Sequence, residues 1–229
     1  KPRVVSFHFG LPADDKLAAL REAGCLIICS VTTVDEAKYL QQRGVDAIIA
    51  QGWEAGGHRG TFEVSNEDFG IGTMALVPQI VDAVNLPVIA AGGIADGRGI
   101  AASLILGASA VQIGSAFLSC PEASVSRSYR AALKFAKDTD TRLTRAFSGR
   151  PARAKNNAYM EIMAEQQPSL APFPHMYQLS GPLMKNSSEK QDGFADFILY
   201  GQAASLNREM PAGELVEKLA EEALKLLGN

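Results

Sequence analysis

The sequence predicts an α/β protein built on a parallel sheet, and three observations predict it. Short apolar runs begin near residues 4, 26, 47, 88 and 110, so they recur at about 22, 21, 41 and 22 residues. Amphipathic stretches of helical period fill the gaps, and strands alternating with such helices imply parallel pairing through right-handed crossovers. The runs are continuously apolar rather than alternating, which is the pattern of strands buried on both faces.

Val4-Val5-Ser6-Phe7 reads as the first strand. Pro12 opens a helix to about Ala23, with Leu17, Ala18 and Leu20 turned inward and Gly24 as its stop. Leu26-Ile27-Ile28 is the second strand. Thr33 followed three residues later by Glu36 is the pattern of a capping box, and Gly44 ends the helix it starts. Residues 47–50 are the third strand. A helix entered near Thr73 runs through Val84, residues 87–91 are the fourth strand, 97–106 are helical, and 110–113 are the fifth strand.

After Cys120 the pattern changes. Residues 121–136 read as a strong helix, 141–155 as basic and turn-rich, 156–167 as a helix and 168–174 as a proline-rich connector. Residues 176–200 read as polar and irregular, with the aromatics Tyr177, Phe194, Phe197 and Tyr200 scattered through them. Pro211 opens a final helix whose apolar stripe is Leu215, Leu219, Ala223 and Leu226. The expected organisation is a β/α domain over 1–120, a helical cap over 121–209 and a last helix, 210–229, returning to the first domain.

The 229 residues suffice for one large α/β domain or two small ones, and 47% hydrophobic content supports a core. A net charge of −3 and a pI near 5.7 exclude a basic field for nucleic acid or an anionic membrane. No apolar run reaches the 18 residues a bilayer requires. Cys25, Cys29 and Cys120 argue against a disulfide framework and for buried thiols in a reducing compartment. The chain opens Lys1-Pro2-Arg3 without a signal-peptide pattern, which leads to the expectation of a cytoplasmic protein.

The glycines sharpen the fold. The third strand ends in Gln51-Gly52-Trp53-Glu54-Ala55-Gly56-Gly57-His58-Arg59-Gly60, where four glycines permit close backbone approach around one histidine. Ala90-Ala91-Gly92-Gly93-Ile94-Ala95-Asp96-Gly97 follows the fourth strand, and Gln112-Ile113-Gly114-Ser115 closes the fifth. Paired glycine turns of this kind after strands seven and eight form a phosphate site in (β/α)8 barrels. The TIM barrel is therefore preferred to an open doubly wound sheet. The visible strands would be four to eight, with about 90 residues carrying three further strands ahead of Lys1.

With these motifs in order, the chain resembles the nitronate monooxygenase family over essentially its whole length. The most specific run is residues 50–60. Residues 91–96, 112–115, Phe147-Ser148-Gly149-Arg150-Pro151-Ala152-Arg153 and Gly201-Gln202-Ala203-Ala204 support it. The resemblance implies FMN at the C-terminal end of a TIM barrel, and oxidation of alkyl nitronates by O2 to a carbonyl compound and nitrite. It puts flavin contacts on Gln51, Gly56, Gly93 and the run Gln112, Ile113, Gly114 and Ser115, and the catalytic histidine on His58. The family's first strand carries a Pro-Met-Ala loop that this sequence lacks. The partners it implies are a nitronate, O2 and either the missing strands or a second copy of the chain.

The residues allow that chemistry. Backbone N–H groups of Gly92, Gly93, Gly114 and Ser115, with the Ser115 hydroxyl, could cradle a phosphate dianion. Helices starting near Asp96 and after Ser115 would aim positive ends at it. His58 could take the α-proton of a nitroalkane or bind the oxygens of a preformed nitronate. His8, Tyr177, Lys185 and Tyr200 are the candidate substrate-side groups. Glu54 either orients the backbone or is solvated, Trp53 reads as packing, and Arg150 and Arg153 meet either an anion or carboxylates of the cap. Two other readings stay open: a related FMN-dependent reductase drawing hydride from NAD(P)H for a quinone or enoyl thioester, and an inactive barrel fragment.

Overall fold

The computed structural model describes residues 1–64, 69–166 and 169–228. Gln167 and Pro168, where a predicted helix meets a predicted connector, lie outside them. The chain divides into two compact units. The first holds residues 1–54, 60–113 and 218–229, and the second holds 55–59 and 114–217.

In chain order the first unit contains β1 (Val4–Phe7), α1 (Asp14–Glu22), β2 (Leu26–Val31), α2 (Val34–Gln42) and β3 (Ala47–Gln51). The two-residue β4 (Gly57–His58) belongs to the second unit. The first unit resumes with α3 (Thr73–Ala83), β5 (Val88–Ala91), α4 (Gly97–Ile105) and β6 (Ala110–Gln112). Its strands form one sheet in the order β1-β2-β3-β5-β6, all pairs parallel. Each strand is added on the same side of the last. A doubly wound sheet instead reverses its strand order at a switch point.

The core of this unit is aliphatic and lies between sheet and helices, with Ile27, Val31, Ile48, Ala50 and Ala90 from strands against Leu17, Leu40, Leu76 and Ile80 from helices. The central strands are buried as their apolar runs require. β1 and β6 are not: Val4 is 47% exposed and β6 is open along its length. Both are edges, and an edge strand has a neighbour on one side only.

The helix ends follow side-chain chemistry. The Thr33 side chain accepts from the Glu36 N–H at 3.2 Å, but the Glu36 carboxylate returns to the Thr32 N–H at 2.6 Å, one residue earlier than a capping box requires. Its other oxygen takes the Phe62 N–H at 2.8 Å. α1 starts at Asp14 rather than Pro12; Leu17 is buried and Leu20 packs partly buried against the core, but Ala18 is exposed. Gly24 and Gly44 stop α1 and α2 in left-handed conformation, each with φ of 68°.

The second unit holds β4, a 3-10 turn (Ser115–Ser119), α5 (Arg127–Lys134), β7 (Thr141–Thr144), β8 (Ala152–Lys155), α6 (Ala158–Ala164), α7 (Met176–Lys190), a second 3-10 turn (Gln202–Leu206) and the start of α8 (Ala212–Leu227). It is mixed rather than purely helical, because β4, β8 and β7 pair antiparallel. The long helix expected over 121–136 shrinks to α5, which the Ser126 side chain caps by accepting from the Tyr129 N–H. The segment read as turn-rich is the β7–β8 hairpin, and much of the segment read as irregular is α7.

The buried positions of α7 are Met176, Ser180 and Ser187. Two serines on the inward face erase the apolar period by which a helix is recognised. They are bonded instead: Ser180 donates to the Phe147 carbonyl at 2.7 Å and Ser187 reaches Asp192 and Asp196. In α8 the predicted stripe is buried at Leu215, Leu219 and Ala223, but Leu226 in the last turn is exposed. Among the described residues no helix is long and apolar enough to cross a membrane.

The thiols of Cys25, Cys29 and Cys120 are free. Burial pushes the Cys29 thiol up to about 11. An acid whose folded pKa is raised lends stability that is complete below its unfolded value near 9.0 and is lost as pH rises toward 11. Urea unfolding should therefore lose free energy more steeply between those pH values in the native chain than in Cys29→Ala; parallel curves would refute the assignment.

α8 meets α4 without clearance. A Cβ on Gly97 would lie 2.3 Å from the Glu222 Cβ and 2.7 Å from the Ala223 nitrogen. Gly97→Ala should cost about 1–3 kcal/mol, the usual penalty of overpacking, read as a lower urea midpoint.

Candidate active site

His58 is mounted on backbone that glycine alone can form. Gly57 has φ of 78°, in the left-handed region. A Cβ on Gly56 would fall 2.4 Å from both the Gly201 nitrogen and the Tyr200 carbonyl carbon, so the segment is pressed against residues 200–201 of the same unit. β4 pairs His58 with Ala152, and the Arg59 N–H donates to the Pro151 carbonyl at 2.8 Å. These three restraints fix the backbone on both sides of the imidazole.

The ring itself is half-buried, and its Nε2 lies 2.8 Å from the Ser148 Oγ. Three aromatic rings stand around it, with centroids at 6.0 Å for Phe173, 6.2 Å for Phe197 and 6.4 Å for Tyr177. Phe147 stacks on Phe197 at 4.4 Å from behind. Burial raises the Tyr177 hydroxyl above its ordinary value, so it keeps its proton and can donate a hydrogen bond near neutral pH. A histidine with one nitrogen tied to a hydroxyl and apolar faces around it is equipped to exchange a proton with a small, largely apolar ligand.

The first unit builds the glycine turn after β5. Gly92 and Gly93 have φ of 98° and 72°. The Glu54 carboxylate accepts from the Thr73 N–H at 2.9 Å and caps α3, while the Thr73 hydroxyl lies 2.7 Å from the Gly92 carbonyl. Glu54 thus orients backbone and is not a solvated charge. Gln51 accepts from the Gly60 N–H at 2.7 Å and so holds the start of the following loop. Gln112 ends β6, and Ile113 packs against the core.

In the second unit, an added Cβ on Gly114 would meet nothing within 4 Å. The Ser115 Oγ accepts from the Gly201 N–H at 2.8 Å and retains its own proton to donate. Among the described residues, the N–H groups of Gly92, Gly93, Gly114 and Ser115 donate to no protein acceptor. Such turn amides can receive an anion. The helix-end part of the expectation needs correction: the Gly97 N–H goes to Glu222 and the Arg98 N–H to Asp96, so carboxylates already occupy the positive end of α4.

The structure separates the other candidates. Tyr177 stands beside His58. Tyr200 is a core residue of the second unit, fully buried with Leu133, Ile198 and Ala204, and its hydroxyl lies 3.4 Å from Asp140. Lys185 is exposed on α7 and pairs with Glu189 one turn on. His8 packs its ring against Gly60, where an added Cβ would lie 2.9 Å from Cε1. Arg150 and Arg153 are buried, and Arg153 donates to the Thr141 hydroxyl at 3.1 Å. Sequence reasoning missed Phe173 and the role of Ser148 beside His58. The run 147–153 was visible, but nothing in its spacing points to a histidine 90 residues away.

The chain as a whole is similar to several known proteins. The profile of the family "Nitronate monooxygenase" matches residues 1–222. A nitronate monooxygenase of Pseudomonas aeruginosa is 46% identical over 225 residues, covering 97% of this chain and 64% of that protein. A probable nitronate monooxygenase of Bacillus subtilis is 39% identical over 227 residues, covering 99% and 65%. Among solved structures, nitroalkane oxidase from Streptomyces ansochromogenes superposes with a TM-score of 0.88 at 44% identity, covering 98% of this chain and 65% of that one. FabK from Thermotoga maritima gives 0.80 at 32%, covering 98% and 69%. The chain thus spans a little under two thirds of the length of the curated relatives. A profile match over nearly every residue, with identities of this size, means that the chain belongs to the nitronate monooxygenase family.

Proposed function

We propose that this polypeptide carries the catalytic histidine and part of the flavin site of an enzyme that oxidises alkyl nitronates, and nitroalkanes, to a carbonyl compound and nitrite. The observation that carries the proposal is the His58 imidazole, held on glycine backbone, tied to Ser148 and enclosed by Phe173, Tyr177 and Phe197. The Pseudomonas relative is named for nitronates and the Streptomyces structure for nitroalkanes.

FMN suits the donor set. Gly92 and Gly93 of the first unit and, separately, Gly114 and Ser115 of the second carry turn amides that can donate to a phosphate, and Gln51, Gly56, Gln112 and Ile113 are the other proposed flavin contacts. When bound, the flavin supplies the electron chemistry between the substrate carbon and O2. The protein's own work is at His58. With a nitroalkane it takes the α-proton; with a nitronate it donates a charge-assisted hydrogen bond to the anion. The aromatic rings keep water from the reacting carbon, and the protonated Tyr177 hydroxyl offers a second donor to the nitro oxygens.

The unidirectional parallel sheet supports reading the first unit as strands four to eight of a (β/α)8 barrel, its two edges paired in the whole protein by further strands or by a second copy. Three free thiols support a reducing, cytoplasmic location.

Two measurements test this. His58→Asn should lower nitroalkane oxidation by about two or more orders of magnitude, the range for losing a general base, with a smaller loss on preformed nitronate; equal losses would remove the base role. Anaerobic mixing of the FMN-loaded protein should bleach the flavin with alkyl nitronate. Bleaching by NADH and none by nitronate would favour the reductase reading, and a chain that never takes up FMN would favour the inactive fragment.

A further inference from the structure

We infer that the second unit carries a further ligand site, which takes a small phosphate monoester bearing a hydroxyl group. The site is a cavity of about 340 Å³ lined by residues of α5, of the second 3-10 turn and of the segments beside them. Small-molecule sites run from about 300 to 1,000 Å³. All the lining residues belong to the second unit, and none is among those proposed above for flavin or nitronate.

The apolar part of the lining is anchored. Leu133 of α5 and Ala204 of the 3-10 turn are 4% and 1% exposed and share one core cluster with Ile198 and Tyr200. That packing ties the two elements together, so the polar groups they present keep their spacing.

The charge is positive. α5 reads Arg-Ser-Tyr-Arg-Ala-Ala-Leu-Lys, with three basic residues and no acid. Arg130 and Lys134 stand at i and i+4, on one helix face, and both line the cavity. Among the described residues neither pairs with a carboxylate. Arg130 is nevertheless held. Its Nη1 donates to the Cys120 carbonyl at 3.1 Å, and its Nη2 to the carbonyls of Pro121 at 3.2 Å and Ala123 at 2.6 Å. A guanidinium has five N–H donors, so two remain. Fixing a cation before its ligand arrives lowers the ordering cost of binding. The carboxylate in the lining is that of Glu209, and Glu209 is exposed.

The neutral groups define the rest of the ligand. The Asn207 Nδ2 donates to the Ser115 carbonyl at 3.0 Å and to the Ser119 Oγ at 3.3 Å. Its Oδ1 is buried and accepts from no group of the protein. A buried acceptor without a donor costs free energy, and a ligand hydroxyl supplies the donor. The Ser119 hydroxyl accepts from Asn207 and keeps its own proton to give, and the exposed Ser205 offers a second hydroxyl. Two cations and two hydroxyl donors match the three free oxygens and near-double charge of a phosphate monoester. A carboxylate has two oxygens and a single charge, and it would leave part of that donor set idle.

Titration of the nitrogen-15-labelled full chain with glycerol phosphate, followed by amide shifts, tests the site. Shifts should appear over residues 130–136 and 204–209. No shifts, or shifts confined to residues 92–93 and 114–115, overturn the inference; the second pattern would place the probe on the turns proposed for flavin. Inorganic phosphate and lactate should each bind more weakly than glycerol phosphate. Equal binding of inorganic phosphate would mean an adventitious ion only, and equal binding of lactate would reject the phosphate assignment.

Lys134→Gln removes an exposed, unpaired charge and should weaken glycerol phosphate about 2- to 5-fold, the worth of one exposed ion pair. Glu209→Gln should tighten it. Asn207→Ala should weaken glycerol phosphate and leave inorganic phosphate, which has no carbon-borne hydroxyl, unchanged. An unaltered Kd for glycerol phosphate in Lys134→Gln, or weaker binding in Glu209→Gln, overturns the inference. None of these readouts uses flavin or nitrite, so they stand whether or not the oxidation reading holds.

Discussion

The approach of Gly56 to the Tyr200–Gly201 backbone is the constraint on which the site depends. With 2.4 Å between an imagined Cβ and two main-chain atoms, no other residue fits without moving one segment. That contact, the β4–β8 pairing and the Arg59 amide hold a two-residue strand that could not stand alone. A strand this short has almost no ladder of its own. Its order comes from close packing, and the histidine inherits that order.

The positive ends of α2, α3 and α4 are taken by side chains. Glu54 takes the N-terminus of α3, Asp96 and Glu222 take that of α4, and Thr33 serves α2. An anionic ligand would meet carboxylates at α3 and α4 rather than free amides. Thr73, which donates its N–H to Glu54 at the start of α3, also donates its hydroxyl to the Gly92 carbonyl and so pins the turn that carbonyl belongs to.

Much of the first unit was legible because its physics is local. Five apolar runs, with three of their four intervals at about 22 residues, glycines at helix ends and a capping threonine each report on neighbours within a few residues. The same logic misjudged β1 and β6, because burial depends on what stands next to a strand and not on its composition. In the second unit the local signals mislead. β8 reads Ala-Arg-Ala-Lys, with Arg153 buried among hydrogen bonds rather than turned to water. α7 buries serines whose hydroxyls are satisfied by the Phe147 carbonyl and by two aspartates, so its inward face is polar.

The sequence by itself determined the parallel β/α character of the first unit and the glycine turns, and it singled out His58 as the candidate. Strand period, helix stops and the need for residues without a Cβ are written in short stretches of chain. Only tertiary structure decided that His58 answers to Ser148, that Phe173 and Phe197 join Tyr177 around it, and that Tyr200 is core. Those residues lie up to 142 positions beyond His58 in the chain. A hydrogen bond or ring contact across such a span leaves no periodic trace in sequence, because it exists only once several unrelated segments have packed.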